Sequence, residues 1–277
     1  MSELDHVTAA LLGVVQGLAE FLPVSSSGHL VLAQRRLGLN PDSPQMLLFD
    51  VLVHVATLTA VVTVFAGTLS AYARRLVRES RRSWQGRRYG WRIAMLGAVA
   101  TAPTAAFGLA LKRTYEKAFG EPSWIGVCLL ITGVMLAVLP CVPRQARGWK
   151  SFRWGQAGLV GTAQAFAILP GISRSGATIS VAAYCGLRRR WAAEFSFLIA
   201  VPAIAGATVV KVKDTLGLPM DQLGQVAWGP VIVGSLVSLV VGVIALTLLL
   251  DVVRRAKLHY FAPYCWLLAV LVLSGAV

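Results

Sequence analysis

Two short stretches concentrate the reactive side chains of an otherwise apolar chain. The first is Gln16-Gly-Leu-Ala-Glu20-Phe-Leu-Pro23-Val-Ser25-Ser26-Ser27-Gly28-His29. The second is Pro170-Gly171-Ile-Ser173-Arg174-Ser175-Gly176-Ala-Thr178. Hydrocarbon tolerates such groups only where they face protein or water, and keeping them there usually marks function. Gln16 and Glu20, four apart, share a helical face pointing toward the Ser tip; such a pair can hold a divalent cation or position an attacking group. Tips rich in Ser and Gly that open new helices present backbone N–H groups and a helix dipole to an anion. Arg174 sharpens this, because a guanidinium forks onto phosphate oxygens. His29, one turn past Ser26, can deprotonate a hydroxyl, protonate a leaving oxygen or attack phosphorus itself.

These parts add up to phosphoryl transfer. Ser26 is the candidate nucleophile, with His29 as its base or as the alternative nucleophile. Glu20 activates the nucleophile or, with Gln16 and a metal, binds a diphosphate. Arg174 stabilises charge on the transferred group. Gln16, Ser25, Ser27, Gly171, Ser173, Ser175 and Thr178 are candidate substrate-binding residues. Each has a structural alternative: a helix cap, a buried Gln–Glu hydrogen bond, a packing histidine. Asp50 and His54, again four apart, could line the same cavity or simply pair.

The elements that must carry these residues are unusual. The arm Val7–Phe21 is 15 residues, about 22 Å as a helix, short of the roughly 30 Å hydrocarbon core. Pro23 blocks continuation, and Ser-Ser-Ser-Gly suits a turn followed by a new helix start. A hairpin that dips into the membrane and returns is therefore predicted over 7–37, and a second over 155–187. The two are related by a shift of 148 positions that superimposes Gly13 on Gly161, Gln16 on Gln164, Ser25 on Ser173, Ser27 on Ser175 and Gly28 on Gly176. The chain reads as two copies of one unit, about 1–142 and 150–277, each a hairpin plus three spans. Three is odd, so the second copy is inverted, and inverted repeats with broken helices bring their polar tips together near the midplane.

Composition sets the frame. Of 277 residues 56% are hydrophobic and 14% charged, with a net charge of +14; soluble domains carry about 25% charge. A polytopic membrane protein follows. On a soluble chain the basic surplus would suggest nucleic acid; here it suggests membrane lipid headgroups, and no nucleic-acid partner is expected. The four cysteines lie isolated in apolar runs without ligand spacing, and the acidic start argues against a cleavable signal peptide. Spans are predicted at Leu47–Ala73, Ile93–Leu111, Trp124–Val142, Phe195–Val210, Val226–Leu250 and Tyr260–Val277. The stretch Arg74–Arg92 holds eight Arg against one Glu, and it joins Pro143–Arg153, Arg188–Arg190 and Asp251–His259 on the cytoplasmic side. The near-neutral loops Lys112–Ser123 and Lys211–Gln225 fall outside. The expected fold is all-α, six transmembrane helices plus two re-entrant hairpins in an inverted repeat.

At these residues the sequence resembles the undecaprenyl-diphosphate phosphatase family, the bacitracin-resistance type, over essentially the whole chain. Gln16-x-x-x-Glu20 with Phe-Leu-Pro-Val-Ser-Ser-Ser-Gly-His29 is similar to its first motif, and Pro170-Gly-Ile-Ser-Arg174-Ser-Gly-Ala-Thr178 to its second. Glu194-Phe-Ser-Phe-Leu-Ile-Ala-Val-Pro202 is similar to a segment that follows. The resemblance implies hydrolysis of undecaprenyl diphosphate to the monophosphate carrier, recycling it for cell-wall synthesis and conferring bacitracin resistance. It also implies a site opening to the outer side of the bacterial cytoplasmic membrane, a Mg²⁺ or Ca²⁺ requirement, and it admits a homodimer. The first motif position accepts Glu or Gln, so with Gln16 here Glu20 carries more of the metal-binding role.

Two rivals stand beside this. Inverted repeats with broken helices are also typical of transporters, so a polyprenyl-phosphate flippase is the alternative from another class. The other integral-membrane lipid phosphatase superfamily has Ser-Gly-His and Ser-Arg motifs, but it wants a His six positions after the Arg, where this chain has Ser180.

Overall fold

Asp5 starts the first helix, its carboxylate accepting from the Thr8 backbone N–H at 2.6 Å. In this computed structural model, residues 4–80, 89–111, 114–115, 120–142, 148–216 and 226–276 are described. Among them the regular structure is helical, with no strand. Helix α1 (His6–Phe21) and α2 (Ser26–Arg36) form the first hairpin. Then come α3 (Pro44–Val64), α4 (Ala66–Ser80), α5 (Tyr89–Ala110) and α6 (Pro122–Ala137). The second hairpin is α7 (Trp154–Phe166) and α8 (Arg174–Tyr184), followed by α9 (Arg189–Leu216), α10 (Trp228–Arg254) and α11 (Ala262–Leu273).

Five segments are long and apolar enough to cross a membrane: Pro44–Val64, Tyr89–Ala110, Pro122–Cys141, Arg189–Lys213 and Trp228–Arg254. The chain is a multi-pass membrane protein. Two expected boundaries shift. The first span ends at Val64 rather than Ala73, because Ala66–Ser80 is a separate helix with no buried residue that carries Arg74, Arg75 and Arg78. The last expected span, 260–277, is a 3-10 turn (Leu258–Phe261) and the 12-residue α11; at about 18 Å α11 alone is short of the hydrocarbon thickness. Parts of the loops predicted at 74–92, 112–123, 143–153 and 211–225 lie outside the described residues.

The hairpins are clamped by close helix contacts. Helix α1 lies against α10, and α7 against α5. A Cβ on Gly13 would fall onto the Gly234 carbonyl oxygen, and one on Gly161 onto that of Ala100. Small residues let helix backbones approach where lipid gives no hydrophobic drive between helices. Beneath the hairpins, Phe21 and Phe65 flank Phe197 at ring-centroid distances of 6.1 and 5.5 Å, tying the first hairpin to the junction of α3 and α4 and to α9.

Candidate active site

The first tip is shaped by a strained residue. Helix α1 ends at Phe21, and Ser25 takes φ 74° and ψ 99° before α2 begins at Ser26. A non-glycine residue there costs of order 1–3 kcal/mol and persists only where its surroundings hold it. Three contacts do so. The Ser25 carbonyl accepts from His29 Nδ1 at 2.8 Å and from the His29 backbone N–H at 3.2 Å. Its Oγ accepts from the Gly171 N–H of the second hairpin at 2.9 Å.

The second tip is fixed from the other side. Gly171 has φ 99°, and a Cβ there would strike the Ile125 carbonyl, so only glycine fits. Thr132 of α6 straddles the turn, its hydroxyl donating to the Gly171 carbonyl at 2.8 Å and accepting from the Ser173 N–H at 3.1 Å. Ser173 then caps α8 by accepting from Gly176 N–H at 3.1 Å. The two tips thus meet where the Gly171 N–H donates to the Ser25 hydroxyl.

Between them Glu20 is the hub, 6% exposed. Its Oε1 accepts from an Arg174 terminal nitrogen at 2.8 Å, and its Oε2 from the Ser26 hydroxyl at 2.6 Å and Gln16 Nε2 at 3.1 Å. His54 Nε2 lies 3.9 Å from Oε2. Gln16, Glu20, Ser26 and Arg174 therefore converge from both hairpins. Among the described residues, Arg174 Nη1 and Gln16 Oε1 are buried without a hydrogen-bond partner. A buried guanidinium nitrogen beside helix N-termini is a donor suited to a phosphate oxygen.

Other candidates fall in a second ring. Ser25 Oγ and Ser27 Oγ are 3.5 Å apart, as are Ser173 Oγ and Ser175 Oγ at 3.2 Å. Thr178 is fully buried behind the tip, bonded to the Arg174 carbonyl and the Ser196 hydroxyl, so it supports Arg174 rather than facing the site. His29 departs from expectation: with Nδ1 on the Ser25 carbonyl, its Nε2 meets the Tyr264 hydroxyl at 2.7 Å rather than Ser26. Asp50 and His54 are not a side-chain pair. His54 Nδ1 bonds the Asp50 carbonyl, while the Asp50 carboxylate accepts from Gln34 at 2.8 Å with Lys211 at 4.0 Å. Glu194 pairs with Arg190 at 3.0 Å.

A model of the bacitracin resistance protein BacA family matches residues 9–271, spanning both hairpins. The chain belongs to that family. It is 38% identical to an undecaprenyl-diphosphatase of Halorhodospira halophila over 286 residues, covering 96% of each chain. It is 40% identical to one of Carboxydothermus hydrogenoformans, covering 98% of this chain and 97% of the relative. A Rubrobacter xylanophilus undecaprenyl-diphosphatase is 41% identical, covering 97% of each.

In this BacA-family chain, four supporting residues escape sequence reasoning. Thr132, Tyr264 and Thr104 lie in apolar runs, and their hydroxyls reach the hairpins only through folding; Thr104 receives Gln164 Nε2 at 3.0 Å. Ser196 lies within the Glu194–Pro202 segment, with no cue there that it would meet Thr178. Their one sequence signal is a hydroxyl inside a span, which needs a partner in hydrocarbon.

Proposed function

We propose that this protein hydrolyses undecaprenyl diphosphate to undecaprenyl phosphate and inorganic phosphate. The observation that carries the reading is the convergence of Ser26 and Arg174, from opposite hairpins, on one buried carboxylate. Glu20 is placed to take the Ser26 proton. The Ser26 oxygen then bonds to the terminal phosphorus, and the bridging P–O bond breaks with its electron pair leaving on undecaprenyl phosphate. Water hydrolyses the phosphoserine, releasing phosphate and restoring the hydroxyl. Arg174 and the N–H groups opening α2 and α8 stabilise charge on the transferred group. The positions of both His29 ring nitrogens favour Ser26 over His29 as the attacking group.

A divalent cation fits this donor set. Gln16 Oε1, Glu20 and the Ser26 hydroxyl are hard oxygens of the kind Mg²⁺ and Ca²⁺ prefer, and Gln16 Oε1 is a buried acceptor without a partner among the described residues. One carboxylate supplies little charge, so the diphosphate completes the set. Gln16, Glu20 and Ser26 would hold such an ion, which would supply charge neutralisation and Lewis-acid polarisation to a bound diphosphate.

The architecture we propose is two inverted repeats, about 1–142 and 150–277. Each has a re-entrant hairpin and three crossings, with Leu258–Leu273 as the short sixth. Gly13 and Gly161, equivalent at the 148-residue shift, make equivalent backbone contacts, which supports the repeat. The basic surplus of connecting stretches such as Arg74–Arg92 supports a cytoplasmic side for those loops, and the family resemblance supports a site that opens to the outer side of the cytoplasmic membrane. The test is phosphate release from undecaprenyl diphosphate by the purified protein in detergent. Release that depends on Ser26 and Arg174 is expected; a folded protein that moves the lipid between leaflets without releasing phosphate would favour the transporter reading.

A further inference from the structure

Tyr264 is outside every motif, in the last helix, 235 residues from His29. Its hydroxyl nevertheless meets His29 Nε2 at 2.7 Å, and the two rings stack at 5.6 Å with 16° between planes. The partners assign the tautomer. A carbonyl can only accept, so Nδ1 carries the proton toward the Ser25 oxygen; in the neutral ring Nε2 then accepts from the phenol O–H. The imidazole is thereby held at both nitrogens and along its face.

What His29 holds is the strained residue. Ser25, at φ 74°, joins the first tip to the second by accepting from Gly171 N–H, and its neighbour Ser26 reaches Glu20 at 2.6 Å. A continuous chain of contacts runs from Tyr264 through His29 and Ser25 to Gly171. Tyr264 is 46% exposed on a helix whose Leu267 and Leu271, one and two turns on, are 62% and 37% exposed. The hydrogen bond to His29 therefore ties this outward-facing stripe to the site.

We propose that Tyr264 is a positioning residue for the phosphatase site, acting through His29 to hold the Ser25–Ser26 turn in its working conformation. The inference rests on the phosphatase reading above. It assigns Tyr264 no contact with the reacting phosphorus and makes its effect conditional on His29.

The test is a double-mutant cycle on purified protein, measuring kcat and KM for phosphate release from undecaprenyl diphosphate, with melting temperature alongside. Tyr264→Phe keeps the ring stack and removes the hydroxyl. It is expected to lower kcat about tenfold or more, as loss of one positioning hydrogen bond can, with KM within about twofold and the melting temperature nearly unchanged. In a His29→Ala background, the same change is expected to have no further effect on kcat. Wild-type kcat in Tyr264→Phe, or an equal fractional loss with and without His29, overturns the proposal. A wild-type protein that releases no phosphate overturns the phosphatase reading instead. Tyr264→Gln, whose amide can still donate to Nε2, is expected to recover part of the lost rate; a further loss in that variant also counts against the proposal.

Discussion

Arg174 and Glu20 form a part-buried ion pair at 2.8 Å between residues 154 positions apart, one from each hairpin. The pair leaves Arg174 Nη1 for a phosphate oxygen, so it both closes the fold and arms the site. Arg174→Ala is expected to lower phosphate release by about 10²-fold or more. Arg174→Lys should fall between, since an ammonium cannot fork between Glu20 and phosphate. Removing Arg174 also strands the Glu20 carboxylate, at a cost of about 3–5 kcal/mol. Glu20→Gln combined with Arg174→Ala should therefore melt higher than Arg174→Ala alone. Lysine supporting wild-type turnover would remove the forked contact from the mechanism.

Chelation tests the oxygen donors. Phosphate release should fall in excess chelator and return with Mg²⁺ or Ca²⁺. Gln16→Ala should raise the metal concentration needed for half-maximal rate in protein that still melts cooperatively. Identical metal titrations for wild type and Gln16→Ala would exclude Gln16 from the ion's ligands.

The glycine contacts are a test of architecture. Gly13→Ala and Gly161→Ala each force a methyl onto a facing carbonyl, costing about 1–3 kcal/mol. Gly158, also in α7, has nothing within 4 Å of its added Cβ, and Gly158→Ala should be neutral or stabilising by up to about 1 kcal/mol. Thermal melts in one detergent compare all three; a neutral Gly161→Ala would contradict the packing of α7 on α5.

The two tips are legible in the sequence because Ser, Gly, Pro and Arg clustered inside apolar runs are costly in hydrocarbon unless a site uses them. The five long apolar helices are legible for a simpler reason, their length and hydropathy. The interior of the site is not legible. That Arg174 shares Glu20 with Ser26 depends on how the second hairpin meets the first, which spacing along the chain does not give. His29 is misplaced by spacing alone for a similar reason. Nearness to Ser26 along the helix puts its ring beside that hydroxyl, whereas the positive φ of Ser25 turns the carbonyl into the path of Nδ1. The break after Val64 is hidden in the sequence because the apolar run continues past it, with only Gly67 and Thr68 as weak helix formers nearby.

Glu79 offers a pH test away from the membrane core. Its carboxylate accepts from the Gly90 N–H at 2.8 Å and the Trp91 N–H at 3.2 Å, and pairs with Arg75 at 2.9 Å, locking α4 to the start of α5. Burial works against its ionised form, but the Gly90 and Trp91 amides and Arg75 outweigh it and hold the carboxyl below its usual 4.5. A depressed pKa contributes stability above the unfolded value that is lost as pH falls through the folded one. Wild type should melt above Glu79→Gln at pH 7, and the gap should close below about pH 4.5 as Glu79 protonates. A gap that widens in acid would reverse the sign and refute the assignment.

Turnover of undecaprenyl diphosphate by Ser26→Ala, in protein that melts like wild type, addresses the mechanism at its centre. Phosphate release is predicted to fall by about 10²-fold or more, as expected for loss of a nucleophile held by its base. Wild-type release from the folded Ser26→Ala protein would contradict the mechanism.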